Sequence, residues 1–245
     1  MDELPDDSLE RHLNDDGELS FERTLLHASI LGDLLDAQPL ADRAQALFSA
    51  GGPASGKSSL LRHLGLLEGA VRIDVDEIRQ RLPEYPGWLD ERPAQAAALT
   101  HREASQIAKL ALAIGLQQPR AIVFDGVGGD DEGQFSEKIR SAIAAGATVR
   151  LCYATVSVDE ALEREHARFA GTGRHVNEDI VRRKHAAASR GLATASLLEI
   201  ERVDIYDTSS DTPVLVASGT GGQGLEGIRA VDAERYAEFL EKGHA

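Results

Sequence analysis

Eight consecutive residues in this 245-residue chain can do phosphate chemistry: Gly51, Gly52, Pro53, Ala54, Ser55, Gly56, Lys57 and Ser58 spell a complete G-x-x-x-x-G-K-[ST] loop. Glycines at its ends let successive backbone N–H groups point into one cavity, where they cradle phosphate oxygens at a helix N-terminus. Lys57 is placed to reach β- and γ-phosphates, and the Ser58 hydroxyl to hold Mg²⁺. These residues, with Ser59 behind them, form a candidate nucleotide site for ATP and Mg²⁺.

Other residues carry the marks of a transfer reaction. Asp74 and Asp76 close the string Arg72-Ile73-Asp74-Val75-Asp76. At the C-terminal edge of a strand, Asp76 is positioned to accept the proton of an acceptor hydroxyl, and Asp74 to cap the next helix. Asp125 ends the apolar run Ala121-Ile122-Val123-Phe124, the expected place for a carboxylate that orients magnesium waters. Glu103 falls on an apolar helical stripe through Leu99, Ile107, Leu110 and Ile114. An inward carboxylate needs a partner, either a bound acceptor group or a core arginine. Arg164 and Arg168 share a helical flank ahead of Gly171-Thr172-Gly173 and Arg174, the composition of a closing lid whose guanidiniums stabilise charge on a moving phosphate. A solvated face with Glu160, Glu163 and Glu165 as surface partners is the alternative.

The elements that must hold these groups alternate from Ala46 onward. Expected strands are Ala46–Ala50, Ala70–Val75, Ala121–Asp125, Thr148–Val156 and Val203–Asp207. Expected helices are Lys57–Gly65, Asp76–Leu82, Pro93–Leu116, Glu132–Ala145, Val158–Phe169, Asn177–Ile200 and a closing Val231–Leu240. Short β-rich runs separated by helices predict an α/β fold with a parallel five-stranded sheet flanked by helices. Gly219–Gly224 reads as a loop or hairpin tip. Upstream, the first eighteen residues hold eight carboxylates and one arginine, a leader with no stable fold of its own. A helix capped by Ser20 follows, with Phe21, Leu25, Ala28 and Leu35 at helical spacing. The expected division is therefore residues 1–44, leader plus a helix packing on the core, and 45–245, the nucleotide-binding domain.

Composition narrows the function. Acidic residues outnumber basic ones 41 to 26, a formal charge of −15, which opposes broad nucleic-acid binding. No run of eighteen apolar residues spans a membrane, and the single cysteine, Cys152, fits a packed thiol in a cytoplasmic protein. The only asparagines, Asn14 and Asn177, make no Asn-Lys-x-Asp guanine-reading motif, and no Leu-Ser-Gly-Gly-Gln stretch of transporter ATPases occurs. A small-molecule kinase remains, with a nucleotide-binding regulatory module as the rival from another class.

The loop, the Asp-Val-Asp-Glu-Ile-Arg string with Leu82-Pro83-Glu84-Tyr85, Thr100-His101-Arg102-Glu103-Ala104-Ser105, Asp125-Gly126 and the arginine-rich lid together resemble the zeta-toxin family of P-loop kinases over about Leu47 to Asp207. The resemblance implies a P-loop kinase fold with an Arg-rich lid. It also implies phosphorylation of a sugar hydroxyl, typically on UDP-N-acetylglucosamine, and a possible antitoxin partner. It would make Lys57 and Ser58 the phosphate and metal ligands and Asp76 the base, with Asp125 reaching metal through water. Asp76, Arg79, Glu103 and Asp125 would face the acceptor, and Arg164 and Arg174 the transferred phosphate. The family commonly carries Asp/Glu-Gly-Thr-Gly-Arg where this chain has Asp125-Gly126-Val127-Gly128-Gly129. A hydroxyl and a guanidinium are thereby lost, which keeps an antibiotic or another hydroxylated metabolite open as the acceptor.

Overall fold

The computed structural model describes residues 7–36, 38–126, 128–129, 133–172 and 177–244. Its centre is one sheet of β1 (Gln45–Ala50), β2 (Val71–Asp74), β3 (Ala121–Asp125), β4 (Thr148–Thr155), β5 (Arg202–Asp207), β6 (Val214–Gly219) and β7 (Ile228–Ala230), in the order β2-β3-β1-β4-β5-β6-β7. The five expected strands are present and mutually parallel. The sheet has seven strands rather than five, however, because β6 and β7 extend it antiparallel beyond β5. A polar turn at Ser209–Thr212 and the Gly219–Gly224 loop reverse the chain. β7 is only three residues long and largely exposed, and β6, although it carries the apolar run Val214–Ala217, is antiparallel and only partly buried, outside the β–α alternation from which the parallel strands are read.

The inner strands pack apolar side chains on both faces. Phe48 of β1 is fully buried, with ring centroids 5.9 Å from Phe124 and 6.1 Å from Phe135. Cys152 is buried on β4, and burial pushes its thiol up to about 12, as a packing residue requires.

The helices are α1 (Phe21–Leu35), α2 (Lys57–His63), α3 (Val75–Arg79), α4 (Glu84–Glu91), α5 (Pro93–Gly115), α6 (Gln134–Ala144), α7 (Val158–Thr172), α8 (Glu178–Ala195) and α9 (Ala233–Glu241). α5 begins with Pro93 in its first turn, where a missing N–H costs nothing, and runs on alanine-rich sequence. Its buried face passes through Leu99, Glu103, Ala104, Ile107, Ala108 and Ala111, whereas Leu110 and Ile114 are exposed. The stripe expected from spacing is thus correct for Leu99, Glu103 and Ile107 and wrong for the last two.

A larger departure lies in α1. Ser20 does cap it, its Oγ accepting from the Arg23 amide at 3.2 Å. Yet Phe21 and Leu25 face solvent, and the helix buries Arg23 and His27 with Ile30, Leu34 and Leu35. The leader is laid against the domain from residue 7: the Ser8 amide donates to the Leu99 carbonyl at 2.8 Å, and Arg102 pairs with Glu10 and Asp7. Of its described acidic residues, Asp7 and Glu10 engage Arg102 of α5. No helix among the described residues is long and apolar enough to cross a membrane.

Candidate functional site

The phosphate loop joins β1 to α2, and β1 lies between β3 and β4, where the direction of strand order changes. Ligands of open α/β sheets bind at the carboxyl edge of such a crossing. Ala54, at φ 55°, is the one non-glycine with positive φ among the described residues, a strain of the sort that clusters at ligand clamps. Gly56 precedes Lys57 in the left-handed region at φ 79°. Ser55 Oγ is buried with no hydrogen-bond partner. Ser59, on α2, is exposed and its Oγ accepts from Arg62.

Lys57 Nζ donates back to the carbonyls of Gly51 and Gly52 at 2.9 and 3.0 Å. Burial pushes its ammonium below the ordinary value, while Asp125, Asp76 and Asp74 pull it upward. Asp125 is set by register: it lies opposite Ser49 of β1, whose hydroxyl donates to Asp125 Oδ1 at 2.6 Å. Its Oδ2 is 3.4 Å from the Ser58 hydroxyl and 3.0 Å from an Arg72 guanidinium nitrogen. Ser58 and Asp125 present hard oxygen ligands side by side, and this donor set fits Mg²⁺.

Asp74 caps α3, its Oδ1 accepting from the Asp76 amide at 2.8 Å. Burial and the neighbouring Asp125 push its carboxyl above the usual range. Asp76 is the exposed member of the group, with its side chain 42% accessible and bound by Arg79 Nη1 at 2.5 Å. Arg79 is buried, touches His101 Nδ1 at 3.4 Å, and leaves its Nε without a partner. Burial, and then the Arg79 charge, hold His101 below its ordinary value.

On the other flank, Arg164 of α7 donates to the carbonyls of Ala54 at 3.4 Å and Thr208 at 2.6 Å, and pairs with Glu160 at 2.6 Å. Arg168, Arg182 and Arg183 are exposed. Glu165, a surface partner only in the solvated-face alternative, is buried with neither oxygen hydrogen-bonded. Arg174 and Val127 lie outside the described residues.

Glu103 does not join this group. It is fully buried, and its carboxylate accepts from Arg23 Nε at 2.6 Å, Arg23 Nη2 at 2.7 Å and His27 Nε2 at 2.7 Å. Arg23 reaches on to both oxygens of Glu84 at 2.9 Å, and His12 bonds Glu84 at 2.8 Å. Despite its burial, the hydrogen bonds from Arg23 and His27 hold the Glu103 carboxyl down at about 2. Of the two partners expected for it, the core arginine describes its contacts.

Sequence reasoning missed His185. This α8 residue is buried and its Nε2–H donates to the Pro53 carbonyl at 2.9 Å. Since a carbonyl only accepts, the ring is the Nε2–H form, and burial first holds its pKa down at about 4. A Cβ on Gly52 would lie 2.0 Å from this ring, so the second loop residue is glycine because a helix stands against it. Two residues on, Ala187 lies 2.9 Å from where a Gly129 Cβ would be, so the position where the family commonly has arginine here abuts α8. Only the tertiary packing links these residues, and no local motif announces His185.

With this geometry in hand, the match to the family described as zeta toxin, over residues 33–219, has a structural footing: the chain belongs to the zeta-toxin family and has a P-loop kinase-like fold. Comparison with curated proteins gives no match. Among solved structures, a chain of the AvrRxo1-ORF1:AvrRxo1-ORF2 complex with sulphate ions superimposes with a TM-score of 0.72 at 18% identity, covering 97% of this chain and 82% of that one. A chain of the PezAT chromosomal toxin–antitoxin system of Streptococcus pneumoniae gives 0.61 at 15% identity, covering 93% and 95%. The AvrRxo1 complex with ATP gives 0.62 at 19% identity, covering 92% and 74%.

Proposed function

We propose that this chain transfers the γ-phosphate of ATP to a hydroxyl of a sugar-like small molecule, UDP-N-acetylglucosamine or a related metabolite. The observation that carries the reading is the convergence of Lys57, Ser58, Asp125 and the accessible Asp76 at the carboxyl edges of β1, β2 and β3. Family membership supports it.

In this reading Lys57 releases the Gly51 and Gly52 carbonyls for the β- and γ-phosphates. Mg²⁺, held by Ser58 and through water by Asp125, would neutralise charge on the phosphate oxygens. Asp76, oriented by Arg79, accepts the hydroxyl proton as the acceptor oxygen bonds to the γ-phosphorus and the bond to the bridging oxygen breaks, releasing ADP. Arg164 stands beside the loop to stabilise the moving charge, and Arg174 is its proposed companion from the family pattern. Glu103, tied to Arg23 and His27, serves the frame rather than the acceptor. An antitoxin protein is the proposed partner, and the cytoplasm the proposed location.

Asp76→Ala tests the chemistry: turnover should fall about 10²–10⁴-fold. Near-wild-type turnover at saturating acceptor would remove the base assignment. The mass of the phosphorylated product from a metabolite extract identifies the acceptor and separates a nucleotide-sugar from an antibiotic.

A further inference from the structure

We propose that the Arg72 guanidinium is a tethered cation that competes with the divalent metal for one set of oxygens, so that metal entry displaces it. This rests on the metal-dependent kinase reading above. Asp74 and Asp125 are direct partners in the β2–β3 register, which places two carboxylates side by side at the sheet edge. Like charges so placed need a cation between them. Arg72 stands two residues before Asp74 on the same face of β2 and reaches over both. One nitrogen, Nη2, lies 2.7 Å from Asp74 Oδ2, 3.0 Å from Asp125 Oδ2 and 3.5 Å from Ser58 Oγ.

Two of those three oxygens are the ones a magnesium ion would use. A dication at the Ser58 hydroxyl, in water contact with Asp125, would meet the guanidinium at a distance where the two repel strongly. Arg72 is equipped to leave. Its Nη1 is already paired with Glu77, which is about half exposed, and its buried Nε makes no hydrogen bond that would hold it in place.

The test follows Mn²⁺ binding to the ADP-bound protein by electron paramagnetic resonance. Arg72→Gln should bind Mn²⁺ at least about tenfold tighter than wild type, because the competing charge is gone. Arg72→Lys, which keeps the charge, should stay closer to wild type. In the wild-type protein, the Arg72 Nε–H resonance should move when Mg²⁺ joins ADP and stay put with ADP and chelator. Equal Mn²⁺ affinity in wild type and Arg72→Gln overturns the inference alone. Should that variant fail to fold, an Arg72 resonance indifferent to Mg²⁺ overturns it. Absence of Mn²⁺ binding in both proteins overturns the metal-dependent reading and the inference together.

Discussion

Asp125 and Glu103 are both buried carboxylates facing inward, one at a strand end and one in mid-helix, but they have opposite surroundings. Asp125 is bound by two hydroxyls and an arginine at the edge of the sheet, the partners that the proposed metal and its waters would replace. Glu103 is enclosed by Arg23 and His27 of α1, with Glu84 and His12 extending the same network. What surrounds a buried acid therefore separates the role proposed for Asp125 from that proposed for Glu103. Asp125 sits at the strand edge beside the phosphate loop, while a second helix shuts Glu103 in.

That contrast breaks most readily at Arg23. Arg23→Met leaves the buried Glu103 with His27 alone to meet its charge, and should cost about 3–5 kcal/mol of stability in urea unfolding. Replacing both residues, as Arg23→Met with Glu103→Leu, should recover most of the loss, because the desolvated charge is removed with its partner. A single variant within about 1 kcal/mol of wild type would show that α1 is not fastened by this pair.

Lys57→Ala tests the opposite region. Turnover should fall by about 10²–10³-fold while thermal stability hardly changes, since in the proposed reaction this ammonium would serve developing charge on phosphate. A large fall in melting temperature with turnover retained per folded molecule would reverse the contrast.

Gly52→Ala sharpens it, because there the loop depends on packing as well as on its own motif. The added methyl meets His185, and overpacking of this kind costs about 1–3 kcal/mol. We expect weaker ATP binding by calorimetry, with partial recovery when His185→Ala makes room. Equal affinity in the single variant would mean that the loop yields without penalty.

Acid gives the smallest effect near neutrality. The Glu103 carboxyl is held at about 2 against an ordinary 4.5, so the unfolded chain binds the proton first as pH falls. Its stabilisation should be complete above about pH 4.5 and fade toward pH 2, whereas Glu103→Gln should lack that portion of the acid slope. Parallel stability–pH curves would discard the assignment.

Much of the donor half was legible in the sequence. Gly51–Ser58 is a local motif whose phosphate geometry depends on residues adjacent in the chain, and the five parallel strands announce themselves as apolar runs in β1, β3 and β4 and as short β-rich alternation in β2 and β5. Asp125 was legible as a carboxylate ending such a run. Periodicity failed in α1, where Phe21 and Leu25 suggested a buried face and Arg23 and His27 are buried instead. A helical wheel rewards apolar side chains and cannot credit an arginine whose charge is met by a glutamate eighty residues away.

By itself, then, the sequence determined a phosphate loop, the parallel strands that present it, and the zeta-toxin family resemblance, because each is written in neighbouring residues. Tertiary structure decided which buried acid lies beside the phosphate loop and which an arginine encloses, how α8 presses His185 on the loop, and that Arg72 bridges Asp74 and Asp125. Those outcomes depend on strand register and helix packing, which bring distant residues within hydrogen-bond reach and leave no local trace in the chain.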